Sequence, residues 1–156
     1  MGKLLVIKNA DFSANRVDKV VPIIDYDNLI NPATLTNGKY INSKGGLTNA
    51  DPDYSVSDYI EVKAQNISAA GLCPWGDTDS FPVYGITVYD SSKKLLRVIR
   101  ELGLRHYTYK EGDAYIRMGF VERVINDPTW KWYIPGYPAF FACYGDRLLP
   151  YKEYGT

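Results

Sequence analysis

The sequence predicts an all-β fold with antiparallel sheets, and three runs of residues carry this prediction. In Tyr54–Ala64, Tyr84–Leu96 and Ala114–Phe120, apolar and polar residues alternate, and β-branched and aromatic residues are frequent. Alternation with a period of two indicates a strand that has one buried face and one solvated face. Because Gly, Pro, Asn and Asp separate the runs, the pattern favours a sandwich or a barrel.

The N-terminal part of the chain carries weaker strand signals. Residues 3–8 predict a first strand, and residues 9–15 predict a turn. Residues 16–24 predict a further extended segment, in which Pro22 favours a strand end or a sheet edge because proline cannot donate to a ladder. Residues 25–53 are rich in Asn, Gly, Pro and Asp, which is typical of loops and tight turns.

A hairpin is predicted in the middle of the chain. Tyr84–Tyr89 predicts its first strand, and Asp90–Lys93 predicts the turn, because Asp and Ser side chains bond nearby backbone groups. Leu95–Ile99 predicts the returning strand. The alternative is one short helix over residues 93–102, because Lys, Leu, Arg and Glu all tolerate helices.

The C-terminal segment, residues 126–156, is unusually aromatic, with nine aromatic residues between Trp130 and Tyr154. Its prolines exclude a continuous helix. The length of 156 residues suits one domain with a real core. We expect three parts: an N-terminal strand and connecting segment (1–27), a sandwich (28–125), and the aromatic segment (126–156), which packs on the sandwich or on a neighbouring subunit.

Charge and composition argue against several classes of protein. The 18 basic residues balance the 18 acidic ones, so we expect neither nucleic acid nor an anionic membrane as a partner. No run approaches the roughly 20 apolar residues of a membrane span, and residues 4–7 are too short for a secretory signal core. Two cysteines and one histidine do not favour a structural zinc site. Cys73 and Cys143 could form one disulfide or remain buried thiols.

Several motifs together resemble a recurrent β-sandwich module. They are a glycine-rich loop and the motifs G-x-Y-I (38–41), Y-S-V-S-D-Y-I-x-V-K (54–63), I-T-V-Y-D-S-S-K-K (86–94) and A-Y-I-R-x-x-F (114–120), with a weaker I-K-N-A-D-F-S (7–13). The module occurs in tail-fibre, baseplate and other virion proteins of bacteriophages, and in surface proteins of gut bacteria, including Bacteroides-associated proteins. It is similar to jelly-roll carbohydrate-binding modules. The resemblance therefore implies a jelly-roll β-sandwich.

The same resemblance implies a non-catalytic module of a phage virion, in a tail or head fibre, that binds bacterial surface polysaccharide. It also implies a homo-oligomer, with a trimer favoured, and contacts with other virion proteins. One alternative is a purely structural virion decoration or connector that oligomerises through its aromatic segment. Another is a secreted bacterial carbohydrate-binding module, located outside the cell or at the cell surface. The matched positions are structural, so they do not transfer a binding site.

Candidate glycan-binding residues lie outside the matched motifs. Exposed aromatic rings stack on the apolar faces of sugars, while nearby carboxylates bind the hydroxyl groups. These criteria select Trp75, Asp77, Asp79, Trp130, Trp132 and Tyr137. The alternative for the aromatic rings is a place in the core or in a subunit interface, and the alternative for the two carboxylates is a solvated turn.

A structural calcium ion is the one candidate cofactor. Related modules bind calcium near the first strand, and the oxygen atoms of Asn9 and Asp11 suit that ion. No catalytic residue is predicted, because His106 has no Ser or Cys partner in a recognisable motif and no acid has a context that raises its pKa. A small hydrolase domain is kept as a third alternative.

Overall fold

The computed structural model describes residues 2–5, 21–24, 26–75 and 84–156, with the backbone alone in the first two stretches. These residues form short strands, one 3-10 turn at Pro32–Thr34 and the short helix α1 at Arg123–Asn126. The strands are β1 Gly2–Leu5, β2 Val21–Ile24, β3 Thr36–Asn37, β4 Lys39–Ile41, β5 Leu47–Asn49, β6 Tyr54–Val56, β7 Ile60–Glu61, β8 Ile67–Ala69, β9 Ile86–Tyr89, β10 Leu95–Ile99, β11 His106–Tyr107, β12 Tyr115–Val121 and β13 Ala142–Tyr144. All the pairings between them are antiparallel.

The first sheet is built around β12, the longest strand of the described residues. Its strand order is β10-β9-β12-β6-β3, and β7 pairs with β12 on the edge that β6 also uses. On the core face, Ile116 lies opposite Val88, and Met118 lies opposite Ile86. The turn between β9 and β10 is fixed by Asp90, whose carboxylate accepts hydrogen bonds from the backbone of Ser92 and Lys94, both at 2.9 Å.

A β-bulge at Ser57 separates β6 from β7. The Ser57 amide donates to the carbonyl of Met118 at 2.9 Å, and the Ser57 hydroxyl accepts from the Met118 amide at 2.9 Å. The side chain thus replaces a missing backbone partner, and the register against β12 shifts by one residue. Asp58 and Tyr59 are left exposed, whereas Ile60 returns to the core.

The second sheet has the order β11-β8-β13. Residues 28–30 extend it along β13, because the Leu29 amide donates to the Ala142 carbonyl at 2.8 Å. Asn28 is buried there, and its amide oxygen accepts from the Ile30 amide at 3.0 Å. The buried polar side chain therefore satisfies backbone groups that the short strand leaves open.

After β8 the chain crosses from the second sheet to the first, and we name residues 70–73 the crossing segment. The Val121 amide donates to the Gly71 carbonyl, and the Cys73 amide donates to the Gly119 carbonyl, both at 2.9 Å. Gly71 has φ +62°, and a Cβ there would lie 2.6 Å from the Ala139 carbonyl oxygen. Only glycine fits this position without strain.

Two hydrophobic cores result from this arrangement. The first core lies between the two sheets; it includes Ile60, Val62, Ile67, Leu72, Ile86, Val88, Tyr107, Ile116, Met118 and Phe120. The second core lies beneath α1 and the C-terminal segment; it consists of Tyr54, Ala70, Cys73, Val121, Val124, Ile125, Ala139, Phe141 and Cys143. Both cysteines are free, buried thiols. The aromatic segment supplies β13 and much of the second core within its own chain.

The prediction of an all-β, antiparallel sandwich is confirmed. Leu95–Ile99 is a strand, so the alternative helix over residues 93–102 is wrong, and the short helix lies instead at Arg123–Asn126. None of the helices in the described part of the chain has the length and apolar character of a membrane-spanning segment. β1 with β2, and β4 with β5, form two further, two-stranded sheets. The first and second sheets leave two open sides between them. One lies between β10 and β11, and the other between β7 and β13.

Candidate functional site

The three tryptophans of the chain converge on one surface region, which we name the tryptophan cluster (Trp75, Trp130 and Trp132). The ring centroid of Trp75 lies 5.2 Å from that of Trp130 and 5.4 Å from that of Trp132. The interplanar angles are 53° and 76°, so Trp130 is tilted against Trp75, and Trp132 packs edge to face on it. Three of the six residues that the sequence selected are therefore brought together.

Polar side chains beneath the tryptophan cluster fix it to the second core. The Tyr54 hydroxyl accepts hydrogen bonds from Trp75 Nε1 at 3.3 Å and from the Arg123 guanidinium at 3.1 Å. Burial raises the pKa of Tyr54, so its hydroxyl stays protonated. Arg105 donates to the Trp132 carbonyl at 2.9 Å. Because the rings are half-buried and tilted against each other, they form a packed cluster with no coplanar platform.

The other residues that the sequence selected lie elsewhere. Tyr137 packs on Phe141, with the ring centroids 5.7 Å apart, and its hydroxyl donates to the Leu149 carbonyl at 2.8 Å. It thus holds the C-terminal segment against the second core. Four predicted residues lie outside the described residues: Asp77, Asp79, Asn9 and Asp11. Within the described part of the chain, no group of three His, Cys, Asp or Glu side chains could hold a metal ion.

A different group of aromatic residues lines the open side between β7 and β13. A groove of about 370 Å³ lies there, and Tyr59, Tyr144 and Tyr154 form part of its lining. We name it the tyrosine groove. Tyr59 is 37% exposed and Tyr154 is 47% exposed, so both residues are accessible to a ligand.

Charged groups stand beside these rings. Asp27, Glu61 and Lys63 also line the tyrosine groove. The Tyr144 hydroxyl donates to the Glu61 carbonyl at 2.6 Å, and the Lys63 ammonium lies 5.9 Å from the Tyr144 ring centroid. Burial raises the pKa of Tyr144, and the charges of Glu61 and Asp27 raise it further. The groove therefore combines apolar rings with carboxylates that accept hydrogen bonds.

The Tyr59 ring is held in place by contacts with neighbouring side chains. It packs on the Tyr89 ring with the centroids 4.9 Å apart, and the Lys93 ammonium lies 4.8 Å from its centroid. The Arg117 guanidinium lies 5.4 Å from the same centroid and donates to the Ser57 carbonyl at 2.9 Å. A ring that is already fixed loses little conformational entropy when a ligand binds.

A second, smaller cleft of about 170 Å³ adjoins the tyrosine groove. Leu29, Tyr59, Ile60 and Tyr154 line both spaces. The smaller cleft adds Asn31 and Asp58 as polar groups. The concave surface therefore continues past the two tyrosines, which leaves room for a ligand longer than the groove itself.

The sequence patterns did not identify the tyrosine groove. Its rings come from two distant parts of the chain, and no local motif joins Tyr59 with Tyr144 or Tyr154. One signal was present, because alternation places Tyr59 and Glu61 on the same, solvated face of the predicted strand. Comparisons with protein-family models, curated proteins and solved structures give no match to this chain.

Proposed function

We propose that this chain is a non-catalytic β-sandwich module that binds a glycan in the tyrosine groove. One observation carries the proposal: an open groove of about 370 Å³ lined by three tyrosines and two carboxylates. Tyrosine rings stack on the apolar faces of sugars, and carboxylates accept hydrogen bonds from sugar hydroxyls. Ligand sites in proteins measure roughly 300–1,000 Å³, so the groove suits a short oligosaccharide.

In this proposal the tryptophan cluster has a structural role. Trp75 donates its indole N–H to Tyr54, and the Trp75 and Trp132 rings pack on the second core. The three rings are inclined to one another by 53° and 76°, so they form no coplanar platform for a sugar. The tyrosine groove lies on the side of the sandwich between β7 and β13, and Tyr59 and Tyr154 are exposed there.

The sequence resemblance favours a phage tail or head fibre as the setting, with bacterial surface polysaccharide as the ligand. In that setting we expect a homo-oligomer, with a trimer favoured, that contacts other virion proteins. A secreted module at the cell surface is the alternative setting. The connector alternative depended on the aromatic C-terminal segment as an interface. Phe141 and Cys143 of that segment are buried within their own chain, so they are not free to form such an interface.

A glycan array of bacterial surface polysaccharides tests the proposal. We expect the unmodified chain to bind a subset of these glycans and Tyr154→Ala to weaken that binding about tenfold, equivalent to about 1.4 kcal/mol. Tyr133→Ala is the control, because Tyr133, like Tyr154, is an exposed tyrosine of the C-terminal segment and does not line the groove. Glycan recovered after incubation should have an unchanged mass, because the module is non-catalytic.

Trp75→Ala separates the two aromatic regions. It should lower the free energy of unfolding by about 2 kcal/mol, because a half-buried ring is lost, and leave glycan affinity unchanged below the new melting temperature. Loss of binding in Trp75→Ala with retained binding in Tyr154→Ala would move the site to the tryptophan cluster. If no polysaccharide binds the folded chain, glycan binding is excluded as its function.

A further inference from the structure

A second groove, of about 320 Å³, lies on the opposite open side of the sandwich, between β10 and β11. Each wall is the outer strand of a sheet, because β10 ends the order of the first sheet and β11 ends that of the second. This groove is distinct from the tyrosine groove, and the two share no lining residue.

Basic side chains dominate the lining of this second groove, which we name the cationic groove. They are Arg97, Arg100, His106 and Lys110, and Glu101 is the acidic residue among the lining side chains. His106, Thr108 and Lys110 alternate along an extended segment, and all three are exposed on its groove side. The tyrosine groove has the opposite character, since two carboxylates and one lysine line it.

The position of Arg97 is fixed by a buried ion pair. Its two terminal nitrogens donate to the Asp113 carboxylate at 2.8 and 2.7 Å, and the Asp113 side chain is 1% exposed. Asp113 also accepts hydrogen bonds from the Tyr107 hydroxyl and from the Lys110 amide. The guanidinium is planar and rigid, so this pairing fixes its position beside the groove that Arg97 lines.

We propose that the cationic groove binds an oxyanion, a phosphate or sulfate group. Charged side chains are also common on sheet edges, where they prevent pairing with other chains. That purpose needs charges spread along an edge, whereas here Arg97 and Lys110 face one concave space together with the Thr108 hydroxyl. Arginine and lysine donors with a neighbouring hydroxyl are the groups that bind oxyanions in proteins.

Titration with inorganic phosphate and then with sulfate, followed through backbone amide resonances at constant ionic strength, tests this inference. We expect saturable shifts confined to residues 97–110. His106→Gln combined with Lys110→Gln should weaken binding about fivefold, because the ammonium charge of Lys110 and the imidazole of His106 are removed from the groove. Lys44→Gln, which removes an exposed lysine on the turn between β4 and β5, should leave the affinity unchanged.

Dextran sulfate and neutral dextran identify the source of the oxyanion. Tighter binding of dextran sulfate than of free sulfate would assign the groove to a polymer-borne group, and equal affinity would assign it to a free ion. Shifts spread over all exposed lysines, with equal loss in Lys44→Gln, would mean an adventitious ion only and would overturn the proposal. Absence of saturable shifts would overturn it as well. The variant with both His106→Gln and Lys110→Gln should bind a neutral glycan as the unmodified chain does, because the tyrosine groove does not contain these residues.

Discussion

Arg97 and Asp113 form a bidentate ion pair in which the carboxylate is almost completely buried while the guanidinium remains 27% exposed. Burial alone would disfavour the ionised Asp113. Hydrogen bonds from Arg97, Tyr107 and the Lys110 amide outweigh that effect and hold the pKa of Asp113 below its ordinary value. The pair joins β10 to the turn before β12, so it secures one end of the cationic groove.

We therefore expect Asp113→Asn to lower the free energy of unfolding at neutral pH by about 2 kcal/mol, because Arg97 loses its charged partner. A carboxyl group with a depressed pKa in the folded state contributes stability above its unfolded pKa of about 4. That contribution is lost as the pH falls through the lower folded-state pKa. The difference between the variant and the unmodified chain should accordingly shrink in acid. Urea unfolding at several pH values measures it.

Glu111→Gln is the control for Asp113→Asn. Glu111 lies in the same turn but is exposed, so its loss should change stability by less than about 0.5 kcal/mol. The role assigned to the ion pair would be contradicted if the two variants lowered the free energy of unfolding equally. It would also be contradicted if the effect of Asp113→Asn stayed constant down to acidic pH.

Gly71→Ala should destabilise the fold by more than about 2 kcal/mol. Alanine at this position would have to adopt the left-handed conformation at φ +62°. Its Cβ would also collide with the backbone of Ala139, which cannot move aside as a flexible side chain would. Gly112→Ala is the matched control, because Gly112 has φ +94° with no atom within 4 Å of the added Cβ. Gly112→Ala should lower the free energy of unfolding by only about 1 kcal/mol, which is the cost of placing alanine in the left-handed conformation. Thermal or urea unfolding that ranks the two variants equally would contradict the close contact.

The Cys73 thiol should react slowly in the folded protein. Burial raises its pKa to about 12, so at pH 8 the thiolate fraction is far below that of an ordinary cysteine, whose pKa is about 8.5. In a Cys143→Ala variant, the rate of reaction with a disulfide reagent should keep rising with pH above 9. The urea-unfolded variant should react fast, with the rate levelling off near pH 9. A plateau near pH 8.5 in the folded state would show that the thiol is not buried as described.

The strands could be predicted where their signal is local. Ile86 and Val88, like Ile116 and Met118, alternate with solvated residues, and the structure places both pairs in the first core. The bulge at Ser57 could not be predicted, because it depends on a hydrogen bond to Met118, 61 residues away. For the same reason the crossing segment has no signature beyond an isolated glycine.

The candidate sites were predictable only in part. Aromatic content pointed to the tryptophans, and the structure brings Trp75, Trp130 and Trp132 together. Composition does not reveal whether an aromatic ring packs inward or faces a ligand, because that depends on which strands border the open sides. Tyr59 and Tyr154 became neighbours only through the pairing of distant segments.

The crossing segment links the stability of the two grooves. Each groove has one wall in the first sheet and one in the second, and residues 70–73 hydrogen-bond across to β12 after leaving β8. The sheets cannot separate while these bonds hold, so neither groove can open without partial unfolding. A ligand that binds either groove of the folded state therefore raises the melting temperature of the whole sandwich by mass action.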